Sequence, residues 1–359
     1  MSLEDRLKAQ ILAEGPLTVA QYMTFCLHDP RAGYYATRPA LGERGDFITA
    51  PLVSQMFGEL LGLWAAETWS RMGRPARVIL AEAGPGDGAL MSDALRAARL
   101  EPAFLAAADL YLIETSPVLM QAQAERLGAG PVSPRWVASL ADLPDDAPLI
   151  LIANELLDCL PARQFVRTEK GWAERMVGLD DHGALAFGLA ARPVDGLIGP
   201  SFQNAEPGSV LEVSSAQDAF AAQLAACVLR QGGAGLLIDY GRDEPGLGDT
   251  LQALKGHHKV SPLETPGQAD LTVHVDFPAV AAAARAAGAQ TSPILTQGEF
   301  LMRLGLGART QALIAARPDR EQTLQRQLAR LAAPDQMGSL FKVLAIHPPG
   351  ATPPGFEES

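Results

Sequence analysis

Apolar residues gather into short uninterrupted runs through the middle of the chain. RVILAEAG (77–84), DLYLIETS (109–116), PLILIANE (148–155) and AGLLIDYG (234–241) are bounded by Gly, Pro, Ser or charged residues. Runs without polar alternation fit strands buried on both faces. RWVAS (135–139), QTSPIL (290–295) and LFKVLAIHP (340–348) read as further strands. Helical spacing fills the gaps, in DALRAARL and over 117–127, 215–231 and 277–288, and three short helices run to about 332. Strands alternating with helices predict an α/β fold, a doubly wound parallel sheet covered on both faces, over residues 73–348.

The flanks differ. Residues 2–14 and 17–27 have helical spacing, with Thr18 placed to cap the second. Residues 52–72 read as one long helix carrying Met56, Phe57, Leu60, Leu61 and Trp64 on a face. This makes 1–72 an N-terminal helical region. Residues 163–190 alternate and include Gly171 and the Asp181-His182-Gly183 turn, which predicts a β-hairpin insertion. Residues 242–276 read as a long loop, and 349–359 as a flexible tail.

Composition narrows the classes. Of 359 residues, 48% are hydrophobic and 19% charged, the profile of a chain with a buried core. Lys and Arg number 29 against 41 Asp and Glu, a net charge of −12, which argues against non-specific nucleic-acid binding. Cys26, Cys159 and Cys227 are far apart and form no CxxC pair, as expected of reduced thiols in a cytoplasmic protein without structural zinc. MSLEDRLKAQ has no signal-peptide core, and no apolar run approaches the roughly 20 residues of a membrane helix. The expectation is a bacterial cytoplasmic protein with no direct membrane insertion.

AEAGPGDGA (81–89) places Gly84, Gly86 and Gly88 between a strand and a helix. Glycines there permit a tight turn and close approach of a ligand to the backbone. Two cofactor classes use such a turn. Gly84-x-Gly86-x-x-Ala89 fits a relaxed dinucleotide fingerprint, with Glu114 on a ribose hydroxyl. S-adenosylmethionine fits better. Glu82 and Glu114 suit a ligand with a ribose diol, an ammonium and a sulfonium, and the loop holds no Lys or Arg for a pyrophosphate.

IANELLDCLP (152–161) follows the fourth strand, and ligands of doubly wound sheets lie beyond strand carboxyl ends. Asn154, Glu155 and Asp158 therefore fall where a methyl acceptor belongs. Glu155 and Asp158 are one helical turn apart, a spacing that would put both on one face to grip a guanidinium. The plainer alternative is that Asn154 or Asp158 caps a short helix. Asp239-Tyr240-Gly241 ends the fifth strand on the same rim. DLTVHVDF (270–277) adds His274 and Asp276, and His257-His258 forms another polar pair. No H-x-x-x-H spacing appears, so no metal site is expected.

These motifs, in this order, carry a family resemblance. YMTFCLHDPRAGYY (22–35), GDFITAP (45–51), SQMFGE (54–59), EAGPGDG (82–88), NELLDCLP (154–161), IDYG, PGQADLTVHVDF, TQGEFL and MGSLFKVL span nearly the whole chain. The chain resembles the MidA-type methyltransferases, bacterial relatives of the mitochondrial complex I assembly-factor arginine methyltransferase. Asp87 stands where the family pattern has a basic residue, and Ala89 where it has Thr. The resemblance implies a Rossmann-like class I methyltransferase using S-adenosyl-L-methionine, and methylation of an arginine on a quinone-side subunit of complex I during assembly.

Given that resemblance, residues 45–59 are expected to cover the cofactor site. Gly45 would permit the turn, Asp46 and Thr49 would offer polar contacts, and Phe47 would shield the methyl donor from water. Glu155 and Asp158 would orient the guanidinium, with His274 or Asp276 as the base. Rival readings are a methyltransferase for another acceptor, a non-catalytic assembly factor with a retained pocket, and an NAD-dependent oxidoreductase. The long helix and the 163–190 hairpin are the candidate surfaces for a homodimer.

Overall fold

The computed structural model describes residues 1–37, 49–191, 194 and 198–357. The expected boundary near residue 72 does not divide them. The chain falls into two units interleaved along the sequence: Met1–Ala40, Asp158–Gln217 and Pro245–His274 form one, and Leu41–Leu157, Asp218–Glu244 and Val275–Ser359 the other.

The larger unit holds the doubly wound sheet. Its strands are β1 (Val78–Ala83), β2 (Ala108–Ile113), β3 (Arg135–Val137), β4 (Leu149–Asn154), β5 (Gly233–Arg242), β6 (Val275–Asp276), β7 (Gln290–Thr291), β8 (Leu295–Thr296) and β9 (Phe341–His347). Among the described residues the order across the sheet is β7-β9-β5-β4-β1-β2-β3, with β6 on β5 and β8 on β9. Strands β3 through β5 in this order run parallel, whereas β9 enters antiparallel to β5. All six residues of β1 and of β4 are buried, which is why both read as continuous apolar runs. Strand order reverses between β1 and β4, the place where such sheets open a ligand crevice.

The long helix expected over 52–72 is two. Ala50–Val53 and Gln55–Arg71 are separated by Ser54, which is extended and whose hydroxyl accepts from Met56 N. The second helix buries Met56, Phe57, Leu61 and Trp64 in the core of the sheet. It lies close against helix Ala89–Ala97 because two of its residues are Gly58 and Gly62. A Cβ on Gly62 would lie 2.3 Å from the Ala94 carbonyl oxygen.

The tail departs from expectation. Residues 353–356 are buried, Phe356 packs on Phe300 at 5.1 Å, and Trp64 Nε1 donates to the Pro354 carbonyl at 3.2 Å.

In the smaller unit, helices Leu3–Glu14 and Val19–His28 start with capping boxes at Ser2 and Thr18. The hairpin region is not an insertion on the large sheet. Its strands Arg163–Thr168, Gly171–Leu179 and Leu185–Leu189 join Val210–Val213 and the N-terminal Leu17–Thr18 in an antiparallel sheet of their own. Phe165, Trp172, Ile198 and Leu211 form its core. The segment expected to be a long loop contains a second small sheet, Gln252–Lys255, His258–Val260 and Asp270–Thr272. Its hairpin turns on Gly256 and His257, both at positive φ (56° and 63°), as a tight two-residue loop requires. His257 is thereby a turn residue.

Among the described residues no helix is long and apolar enough to cross a membrane.

Candidate active site at the carboxyl ends of the parallel strands

The larger unit carries a cleft lined by Thr49, Pro51, Leu52, Glu82, Gly84, Pro85, Gly86, Asp87, Ala89, Leu90, Asn154 and Glu155. Its floor is the turn after β1. Gly84, Gly86 and Gly88 have φ of 66°, 55° and 82°, a left-handed series that residues with a Cβ adopt only under strain. At Gly84 a Cβ would also meet Leu156 Cδ1 at 2.9 Å. Asp87 closes the turn: Oδ1 accepts from Ala89 N at 3.1 Å, and Oδ2 pairs with Arg126 at 2.6 Å. The charge at this position is thus neutralised by the neighbouring helix.

Glu82 is 3% exposed, and its Oε2 has no hydrogen-bond partner among the described residues. Burial, with a smaller contribution from Asp87, pushes its carboxyl well above the usual range. A buried acceptor without a donor, set in a cleft, fits a ligand that brings one.

Glu114 follows β2. Its Oε1 accepts from Thr115 N and Ser116 N, both at 2.7 Å, and its Oε2 from Gln123 Nε2 at 3.3 Å. Burial raises its pKa, and these donors oppose the rise. Gln123 was not evident from the sequence. It is fully buried on helix Pro117–Leu127, donates to the Gly86 carbonyl at 2.7 Å, and accepts from Trp136 Nε1 at 2.7 Å. The only signal in the sequence is a polar residue on the inward side of a helix.

The other wall is the end of β4. Asn154 is 8% exposed with Oδ1 unpartnered among the described residues, and its Nδ2 donates to Glu155 Oε1 at 3.0 Å. Residues 155–158 do not form the expected helical turn. Glu155 has φ 53°, and its Oε1 also accepts from Ala50 N at 3.0 Å. The fully buried Asp239 holds the bend from β5, accepting Leu157 N at 2.8 Å. Glu155 thus joins the acceptor wall to the short helix Ala50–Val53, beside Thr49.

The cleft therefore brings together Thr49, Glu82, Gly84, Gly86, Asn154 and Glu155, with Glu114 joined to it through Gln123. Gly45, Asp46 and Phe47 lie outside the described residues. Asp158 and His274 belong to the smaller unit. There Asp158 is buried and its carbonyl accepts from Val273 N at 3.0 Å. The His274 backbone N donates to Thr250 Oγ1 at 2.8 Å, and His274 borders a separate cleft with Asp249, Thr250 and Lys259. Asp276 does not line the cofactor cleft. It caps helix Phe277–Ala286 through Ala279 N at 3.0 Å and pairs with Arg242 at 2.7 Å. These two partners account for its carboxylate.

Acidic and amide acceptors around a left-handed glycine turn, with no Lys or Arg among the described lining residues, suit a cationic ligand bearing a diol. S-adenosyl-L-methionine is such a ligand. Its ribose would fall to Glu114, its amino-acid portion to the glycine turn and Glu82.

Comparison with known proteins agrees. A family model described as a putative S-adenosyl-L-methionine-dependent methyltransferase matches residues 60–295. The mitochondrial protein arginine methyltransferase NDUFAF7 of Danio rerio is 35% identical over 372 residues, covering 96% of this chain and 86% of the relative. The Homo sapiens protein is 34% identical over 367 residues, covering 94% and 82%. A crystal structure of a likely methyl transferase from Burkholderia thailandensis, bound to S-adenosyl-homocysteine, superposes with a TM-score of 0.84 at 27% identity. It covers 99% of this chain and 93% of that one. The chain belongs to the S-adenosyl-L-methionine-dependent methyltransferase family that these relatives represent.

Proposed function

We propose that this chain is a protein arginine N-methyltransferase acting on a quinone-side subunit of complex I during assembly, in a bacterial cytoplasm. The observation that carries the reading is the 35% identity, over 96% of the chain, to a relative named a protein arginine methyltransferase. The complex I target follows from the motif resemblance.

The bound cofactor supplies a methyl group activated by its sulfonium. Transfer forms an N–C bond as the C–S bond breaks in line, and the guanidinium then loses a proton. The work of the protein is positioning, which is worth about 7–11 kcal/mol when donor and acceptor are well aligned. Glu82 and Glu114 hold the cofactor. Asn154 and Glu155 present acceptors to the incoming guanidinium from the end of β4, and the bond from Ala50 N fixes the Glu155 side chain. Asp276 is occupied by Arg242 and its helix, and His274 borders a separate cleft, so neither is the proton acceptor in this reading.

The test is transfer of a labelled methyl group from S-adenosyl-L-methionine to the purified quinone-side subunit, with the site located by mass spectrometry. One arginine should carry the label. Glu155→Gln should abolish transfer and keep affinity for S-adenosylhomocysteine, because the amide oxygen can still accept from Ala50. Label on a different residue type, or cofactor binding without transfer, would sink the arginine reading; the second result would favour a non-catalytic assembly factor.

A further inference from the structure

We propose that Gln123 is a positioning residue for the cofactor, clamping the glycine turn to the carboxylate that receives the ribose. The inference rests on the cofactor site alone, not on arginine or complex I as the target.

The hydrogen-bond inventory of the amide is fully determined. The indole of Trp136 can only donate, so Gln123 Oε1 must face it. The Nε2 group then points its two hydrogens at the Gly86 carbonyl and at Glu114 Oε2. Both of these can only accept when Glu114 is ionised. No other side chain of this length donates two hydrogens and accepts a third. The residue is fully buried, so a mismatch at any of the three positions cannot be repaired by water.

The two anchored groups come from the ends of different strands. Gly86 belongs to the turn after β1, and Glu114 follows β2. Strands β1 and β2 are in register up to Ala83 and Ile113, with one further bond from Gly84 N to the Ile113 carbonyl at 3.2 Å, but beyond it the ladder no longer fixes their separation. Gln123 does so, from a helix that also packs on the turn. A Cβ on Gly88 would lie 3.5 Å from the Gln123 Cα. A ligand spanning turn and ribose acid therefore meets one rigid surface, and less ordering is left for binding to accomplish.

The charges around the clamp are few. Asp87 and Arg126, from the turn and the helix, pair with each other. Glu114 is raised by burial and opposed by the donors of Thr115, Ser116 and Gln123, with no neighbouring charge contributing.

Two substitutions give opposite pH trends. Gln123→Met removes the donors, so Glu114 protonates more readily, and the affinity for S-adenosylhomocysteine should fall further as pH is lowered. Gln123→Glu sets a second carboxylate against Glu114 and the Gly86 carbonyl. Binding should be poorest at alkaline pH and recover on acidification, when one shared proton restores a donor. At neutral pH each should weaken binding by roughly tenfold. Calorimetric titration across pH reads both trends. Should either protein fail to fold, Trp136→Phe keeps the amide but lets it rotate, and should weaken binding roughly threefold. Loss of stability with unchanged affinity and unchanged pH trend would reduce Gln123 to a packing residue and overturn the proposal. A wild-type chain that binds no S-adenosylhomocysteine would instead remove the cofactor site itself, a result distinguishable because it needs no variant.

Discussion

Gly62 offers a sharp test of how the helix over 55–71 is seated. An added Cβ would lie 2.3, 2.6 and 2.7 Å from the O, Cα and C atoms of Ala94, against an ordinary contact of 3.4 Å or more. All three are backbone atoms of helix Ala89–Ala97, so no side chain can swing away. The helices must separate by about 1 Å, which opens the core between them. Overpacking of this kind costs typically 1–3 kcal/mol, and rigid backbone places the site at the upper end. Alanine in place of glycine returns up to about 1 kcal/mol of helix propensity. Gly62→Ala should therefore destabilise the protein by roughly 2 kcal/mol. Gly307 supplies the control. It is also helical, but its added Cβ would meet only the mobile end of Met302 at 3.2 Å. Gly307→Ala should be neutral or stabilising by up to about 1 kcal/mol. Equilibrium denaturation of both proteins beside the wild type measures the contrast. Because helix Ala89–Ala97 opens at the glycine turn, Gly62→Ala should also weaken S-adenosylhomocysteine binding. If both variants were equally stable, close helix contact could not be the reason for glycine at position 62.

Further outcomes follow from other features. Glu82→Gln should weaken cofactor binding about tenfold by removing a buried acceptor charge. It should also stabilise the ligand-free protein at neutral pH. The folded-state pKa of Glu82 lies above its unfolded value, chiefly through burial, so wild-type stability falls as pH rises past 4.5, and the gain from the amide should vanish below that pH. Phe356→Ala should cost about 3 kcal/mol in denaturation experiments, since Phe356 is buried against Phe300; no loss would mean the tail is not docked in solution. Arg6→Ala should destabilise at neutral pH. Arg6 holds Asp29 down to about 2, so this difference should shrink as pH falls from 3.8 toward 2, as acid titrations of both proteins would record.

The parts of the fold legible in the sequence are those where one physical requirement dominates. Strands β1, β4 and β5 are buried on both faces, so their apolar runs admit few other readings. Glu82 could be placed because a strand end followed by a glycine turn fixes position by chain geometry, and Glu114 because it stands at the end of the next strand. The second small sheet was hidden because its strands are three or four residues long and carry Lys255, His258 and Lys259. Its turn pair is Gly256-His257, which lacks the usual Asn-Gly signal. The bend at Glu155 was misread as helix because the helical spacing of Glu155 and Asp158 says nothing of φ, which here is set by Asp239 accepting from Leu157. Proline and glycine in the tail suggested flexibility, whereas Pro354 and Phe356 are tied down by Trp64 and Phe300, far away in sequence. Gln123 stayed hidden because its three partners come from three separate elements.

The pairing of Leu17–Thr18 with Val177 and Met176 has a consequence for synthesis on the ribosome. The partner strand is translated about 160 residues after the strand it must receive. At roughly 5–20 residues per second, the N-terminal helices wait about 10–30 s with Leu7, Ile11, Tyr22 and Met23 uncovered. The smaller unit cannot close until residue 274 has emerged, and the larger one needs β9 near the end of the chain. Both therefore complete late, and until their partners are made the early apolar faces are open to association.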